Sequence, residues 1–233
     1  MYRQFGSSDH RNELVELSHH NVAIGQSGRL DALVALERIG TRLSFSRNCE
    51  IYAEDDDTDC WYKVVSGTVR ICKLLADGRR HIAEFCFGGD CFGIDDTRRR
   101  NYSAEAVDNV IVMRFQRKAT EQLIDENPAV ARLFREAMLR DLATAHGRTL
   151  LLGRMTASER VACFLREMFE RRDRTKTLDL PMSRNDVADY LGLTIETVCR
   201  TLSAFKREGV IAIPNAHRVE LLDRETIEAL AEG

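Results

Sequence analysis

The sequence has no run of about 18 apolar residues, so it offers no membrane-spanning helix. Its opening residues, Met1 to His10, are polar and lack the apolar centre of a secretory signal. A cytoplasmic protein is expected. The seven cysteines (Cys49, Cys60, Cys72, Cys86, Cys91, Cys163 and Cys199) are odd in number and contain no C-x-x-C pair, which excludes the usual zinc and dithiol motifs. They read as reduced thiols serving as small core hydrophobes. Also missing are the His-x-His pair of a cupin metal site, a nucleophile elbow and a glycine-rich phosphate loop, and His81 stands alone in its segment. These absences argue against an enzyme, and no cofactor is expected. Nor is there an excess of positive charge, with 34 Lys and Arg against 37 Asp and Glu. Any case for nucleic acid must therefore rest on local geometry.

What is present divides the chain into three parts. From about Arg38 to Phe115, short apolar runs such as Trp61 to Val65, Val69 to Leu75 and Ile82 to Phe87 alternate with turn signals at Ser66-Gly67, Asp77-Gly78, Gly88-Gly89 and Gly93. An all-β roll or barrel is predicted, with residues 1–127 as the first domain. At Asn127-Pro128 a helix is expected to begin, with Asn as N-cap and Pro at the first helical position, and to run through residues 128–153. Ala131, Met138, Leu142, Ala145, Thr149 and Leu152 lie on one stripe of it, and Val130, Leu133, Phe134 and Ala137 on another. Two apolar stripes require two partners. Either the helix is buried in its own domain, or it covers its own roll on one side and pairs with its twin on the other.

Residues 154–233 read as a second domain. Thr156 and Glu159 form a capping box that opens a helix, the charged segment Glu170 to Lys176 reads as an exposed loop, and two short helices follow, Ser183 to Leu191 and Thr194 to Arg207. Only Gly192-Leu193 separates them. Val210 to Ile213, the turn Pro214 to His217 and Val219 to Leu222 suit a hairpin. Two short helices on a tight glycine turn are a helix-turn-helix, whose second helix enters the DNA major groove by its N-terminal end. Val198, Leu202 and Phe205 give that helix an inward face, leaving Ile195, Glu196, Cys199 and Arg200 to project outward. Arg200 can donate to O6 and N7 of guanine, Glu196 can accept from N4 of cytosine, and Ile195 offers apolar contact. The plainer alternative makes Glu196 and Arg200 an i,i+4 surface ion pair. Ser183, Arg184 and Thr197 lie at helix starts, where backbone N–H groups and hydroxyls suit DNA phosphates.

The segment from Ser183 to Leu202 resembles the helix-turn-helix of the CRP/FNR family of bacterial regulators. The likeness extends to Val64 to Val69, to Gly89-Asp90-Cys91-Phe92-Gly93 and to the long helix. It implies an α+β architecture: a cyclic-nucleotide-binding-like β-roll, a dimerisation helix carrying the 131/138/142/145/149/152 stripe, and a winged helix-turn-helix. It further implies an activator working as a homodimer on double-stranded DNA, reading an FNR-type TTG-N-CAA palindrome and touching RNA polymerase. Ile195, Glu196, Cys199 and Arg200 would contact bases, although Cys199 departs from the serine usual in FNR. The nearest likeness is to FixK-type regulators of microaerobic and nitrogen-fixation genes. Binding of a cyclic nucleotide is not expected, because Gly93-Ile94 and Tyr102-Ser103 stand where cyclic-AMP receptors carry Gly-Glu and an Arg clamp. Arg98, Arg99 and Arg100 nearby read as a solvated charged run. A roll that receives another effector, such as haem or 2-oxoglutarate, stays open.

Overall fold

A computed structural model describes residues 26–95, 97–171 and 176–232. The chain enters on helix α1 (Gln26–Ile39), which the β-rich reading of this region does not foresee. Eight strands follow: β1 (Gly40–Phe45), β2 (Glu50–Tyr52), β3 (Cys60–Ser66), β4 (Val69–Leu74), β5 (Arg80–Cys86), β6 (Cys91–Phe92), β7 (Ser103–Ala106) and β8 (Val110–Gln116). They form two four-stranded antiparallel sheets, ordered β1-β8-β3-β6 and β2-β7-β4-β5. Val64, Val69, Ile71, Ala104, Val110 and Val112 fill the space between them, because alternate residues along each strand point inward. The β4–β5 hairpin closes further from its Asp-Gly pair than a two-residue turn would. Leu74 pairs with Arg80, and within the longer loop Gly78 alone takes a positive φ of 84°.

Helices α2 (Arg117–Glu126) and α3 (Pro128–Arg154) follow without a break in the chain's course. Asn127 caps α3 as expected: its side chain accepts from the Ala129 and Val130 N–H groups at 3.0 and 3.4 Å, with Pro128 at the first position. The 27 residues make a rod of about 40 Å at 1.5 Å per residue. Gly147 does not interrupt it. The start of the rod lies on the outer face of the first sheet, where Val130 joins Ala32, Leu36, Trp61 and Phe115 in a core of their own. Further along, Ala137, Arg140 and Asp141 still face the roll across cavities, while Met138, Leu139 and Leu142 stand exposed.

The C-terminal part holds α4 (Ala157–Glu170), β9 (Thr177–Asp179), α5 (Arg184–Leu191), α6 (Ile195–Arg207), β10 (Ile211–Asn215), β11 (Arg218–Leu221) and α7 (Arg224–Glu232). The Thr156–Glu159 capping box is present. The expected hairpin forms, but it turns on Ala216-His217, and β9 joins it as a third strand in the order β10-β11-β9. Of the segment expected to be a loop, residues 172–175 lie outside the described ones; Glu170 still closes α4.

The two parts meet along the edge strand β5. Phe85 packs against Tyr190 with ring centroids 5.1 Å apart, and Ile82 and Cys72 join the same apolar core as Val187 and Leu191. Around this contact Asp186, only 4% exposed, takes Arg80 at 2.5 Å and Arg70 at 3.3 Å, while Asp189 takes Arg80 at 2.8 Å. A buried carboxylate is stable only when its lone pairs are filled. Here arginines of the roll fill them.

Candidate DNA-reading surface

The helix-turn-helix is built by its caps and its turn. Ser183 caps α5 in a reciprocal box: its Oγ accepts from the Asp186 N–H at 3.1 Å, and its own N–H donates to Asp186 Oδ2 at 3.0 Å. Gly192 ends the helix in the left-handed region (φ 62°, ψ 39°), where a Cβ would be strained, and the Leu193 N–H returns to the Ala188 carbonyl. Thr194 then caps α6 by accepting from the Thr197 N–H at 3.2 Å. Arg160 locks the assembly to the end of the rod, donating to the carbonyls of Leu152, Met155 and Leu191 at 2.9 to 3.0 Å.

Val198, Thr201, Leu202 and Phe205 anchor the inner face of α6. Ile195, Glu196, Cys199 and Arg200 all stand exposed on its first two turns, Ile195 at 37%. The ion pair offered as their plainer role is not formed. Arg200 instead reaches back to the Thr197 hydroxyl at 3.5 Å, too long to hold it firmly. Glu196 is held below the usual carboxylate range by its own backbone N–H and the Thr194 hydroxyl, so it stays an acceptor at neutral pH. Neither polar end is tied to the other, and each has only local contacts within the first turns of the helix.

The residues expected at phosphates are arranged less simply. The N–H groups of Ser183 and Thr197 are taken by their caps, leaving hydroxyls as the groups on offer, and the Ser183 hydroxyl itself donates to Asp186 Oδ2 at 2.8 Å. Arg184 is half-buried, its guanidinium drawn below its usual range by burial, with Cys199 within electrostatic reach. That places it at the flank of the reading face. On the rod, Met138 (58%) and Leu142 (53%) are strongly exposed, and so are Leu139 and Leu150, which the stripe omits. Ala145, Thr149 and Leu152 are exposed as well, whereas Ala131 is partly covered.

Comparisons with known proteins agree with this geometry. Residues 159–230 match the Crp-like helix-turn-helix domain, and residues 42–127 match the cyclic nucleotide-binding domain. The chain is 42% identical to the nitrogen fixation regulation protein FixK of Bradyrhizobium diazoefficiens over 87% of both chains. It is also 42% identical to FixK of Azorhizobium caulinodans, over 90% of this chain and 86% of that one. The solved structure of FixK2 from Bradyrhizobium japonicum superposes with a TM-score of 0.79 at 40% identity, covering 82% of this chain and 97% of that one. The chain belongs to the CRP/FNR family and is of FixK type. As a member of that family it is a DNA-binding transcription regulator and not an enzyme.

Residues 42–127 match a cyclic nucleotide-binding domain, and the cavity beside Gly93-Ile94 and Tyr102 does not fit a cyclic nucleotide. It measures about 140 Å³, below the roughly 300 Å³ usual for ligand sites, and Glu84, Asp95 and Asp141 line it. An entering phosphate would meet carboxylates. The nearby cation is already committed. Arg100 is 2% exposed and donates to the Gly93 carbonyl at 2.6 Å, to Asp95 at 2.7 Å and to the Cys60 carbonyl, with its guanidinium 4.3 Å from the Tyr52 ring centroid. The reading of Arg98 to Arg100 as a solvated run therefore holds for the exposed Arg98 and Arg99 and fails for Arg100. Its position before a strand conceals that the chain folds back over it. The pairing of Arg70 and Arg80 with Asp186 and Asp189 was equally hidden from sequence, since more than a hundred residues separate the partners.

Among the described residues no helix is long and apolar enough to cross a membrane, and no cluster of metal-ligating side chains occurs.

Proposed function

We propose that this regulator acts as a homodimeric activator that reads an FNR-type TTG-N-CAA palindrome and contacts RNA polymerase. The observation that carries the reading is the exposed, mutually unpaired Glu196 and Arg200 on the first turns of α6. Arg200 is assigned the guanine O6/N7 edge and Glu196 the cytosine N4, with Ile195 and Cys199 at adjacent bases. Ser183, Arg184 and Thr197 are assigned to the flanking phosphates. The homodimer is supported by Met138, Leu142 and Leu150, an exposed apolar stretch on a rod that a lone protomer would leave in water. Since FixK relatives are named for nitrogen fixation regulation, genes of microaerobic metabolism and nitrogen fixation are the proposed targets, and the cytoplasm the proposed location.

The test is selection from random DNA with the purified full-length protein, followed by footprinting. A two-fold symmetric site is expected, its half-sites centred about one helical turn, some 34 Å, apart. Recovery of asymmetric sites alone would remove the dimeric reader. Leu142→Asp should yield monomers by light scattering, and cyclic AMP should give no heat in calorimetry and no change in DNA affinity.

A further inference from the structure

A second cavity, of about 460 Å³, lies outside the roll, bounded by α1, the outer face of the first sheet and α3. Its volume falls within the range of small-molecule sites. The wall contributed by α3 is its inward stripe, Leu133, Phe134 and Ala137, and not the Met138–Leu142 stripe assigned to the twin helix. Dimerisation through that stripe leaves the cavity's α3 wall on the roll side.

The sheet wall contains an anomaly. In register, Trp61 pairs with Phe115, and Lys63 pairs with Met113 on one side and Cys91 on the other. Residues two apart on a strand share a face, so Lys63 stands on the same face as Trp61, and Val65, at the bulge that follows, also borders the cavity. It is half-buried, yet its ammonium has no ion-pair or hydrogen-bond partner among the described residues. Arg140, across the cavity on α3, is exposed at its rim and has no ion-pair partner among the described residues. Both cations line the cavity beside Cys91, together with Arg29 and one carboxylate, Glu37; the Cys91 thiol is pushed up to about 11 by burial, with Lys63 and Arg140 pulling it down and Asp141 and Asp90 pushing it up. At another wall Trp61 stacks on Phe115 at 4.1 Å and meets Phe134 edge-on at 5.2 Å. A half-buried lysine is stabilised by an anion. The aromatic wall accepts a flat or aliphatic body.

We infer that this cavity is an effector site for an amphipathic organic anion, with its apolar body against Trp61 and Phe134 and its carboxylate or sulfonate between Lys63 and Arg140. This goes beyond the DNA reading and does not depend on it. The site would place a ligand between α1 and the same rod that carries the dimer stripe.

The probe is 8-anilinonaphthalene-1-sulfonate, titrated into the full-length protein at temperatures where it is folded, with excitation of Trp61. Trp61 is the one tryptophan in the sequence, so energy transfer reports dye bound near it, and the Lys63 and Ala137 variants tell this cavity from its neighbours. Saturable binding at one site per protomer is expected. Lys63→Gln should weaken it about tenfold, as for loss of a charge-assisted contact, and Lys63→Gln with Arg140→Gln further. The uncharged N-phenyl-1-naphthylamine should bind the parent about tenfold more weakly and be indifferent to Lys63→Gln. Ala137→Trp should fill the cavity and abolish binding with an unchanged cooperative melt; should that variant misfold, Val65→Glu, which adds an anion to the same sheet face, must weaken the sulfonate dye. Non-saturable binding, equal affinity for both dyes, or indifference to the Lys63 and cavity variants would overturn the proposal.

Discussion

Arg100 is buried in the roll and has its two terminal nitrogens on the Gly93 and Cys60 carbonyls and Asp95, with only Nε unpartnered, whereas Arg200 stands in solvent with a single long contact to Thr197. The two differ in what surrounds them, since a guanidinium out of water must be satisfied within the fold and one in water can wait for a partner from outside. In this molecule the arginine beneath Gly93 is held by the fold, and the arginine on the helix surface remains available. The contrast separates folding from recognition, and it can be pressed from both sides.

The largest effect is expected at the buried end. Arg100→Ala leaves Asp95 and two carbonyls without their donor, which should cost roughly 3–5 kcal/mol of stability, read as a fall in melting temperature and in the urea midpoint. Next comes Asp186→Ala, at about 3 kcal/mol, because it removes both the carboxylate half of the capping box and the anion between Arg70 and Arg80, while the Ser183 cap on the backbone N–H stays. The loss is softened since Arg70 keeps Glu105 and Arg80 keeps Asp189. At the exposed end the effect should move from folding to binding. Arg200→Ala is expected to leave the melting temperature within a degree or so while costing about 1–3 kcal/mol in gel-shift affinity and relaxing the preference for guanine. If Arg100→Ala melted like the parent, or Arg200→Ala unfolded, the contrast would be lost.

The smallest effect concerns Glu196. Its folded pKa lies below that of a free glutamate, so its contribution to helix stability is complete above the ordinary glutamate range and disappears as pH falls through the lower, folded value. The difference in melting temperature between the parent and Glu196→Gln should therefore be present at neutral pH and vanish in acid. A difference that grew in acid would mean the carboxylate is not held by the helix start.

Local signals were the legible ones. Asn127-Pro128, Thr156 with Glu159, Ser183 at its helix start, and Gly192 each act within a few residues, and each appears where its chemistry requires. The outward residues of α6 follow from helical periodicity alone. What escaped was long-range: α1 packs only because the outer face of the first sheet is apolar, β9 exists only by pairing with β11, and α7 is held by α4. Ser183 shows the same limit at the scale of one residue. Read locally, it suggests that Ser183→Asp would fold normally and lose only DNA binding. With its hydroxyl 2.8 Å from the Asp186 carboxylate, a second negative charge there would strain the fold as well.

Gly93 carries a consequence for how the family can diverge. Its φ is +73°, and a Cβ added there would lie 2.8 Å from the Arg100 guanidinium and 3.2 Å from the Tyr52 ring. A side chain at position 93 would therefore be strained by its own backbone and would press on the guanidinium that the Gly93 carbonyl holds. The two positions are coupled: a substitution at either one loads the other, so how far position 93 can vary depends on how far the Arg100 side chain can shift.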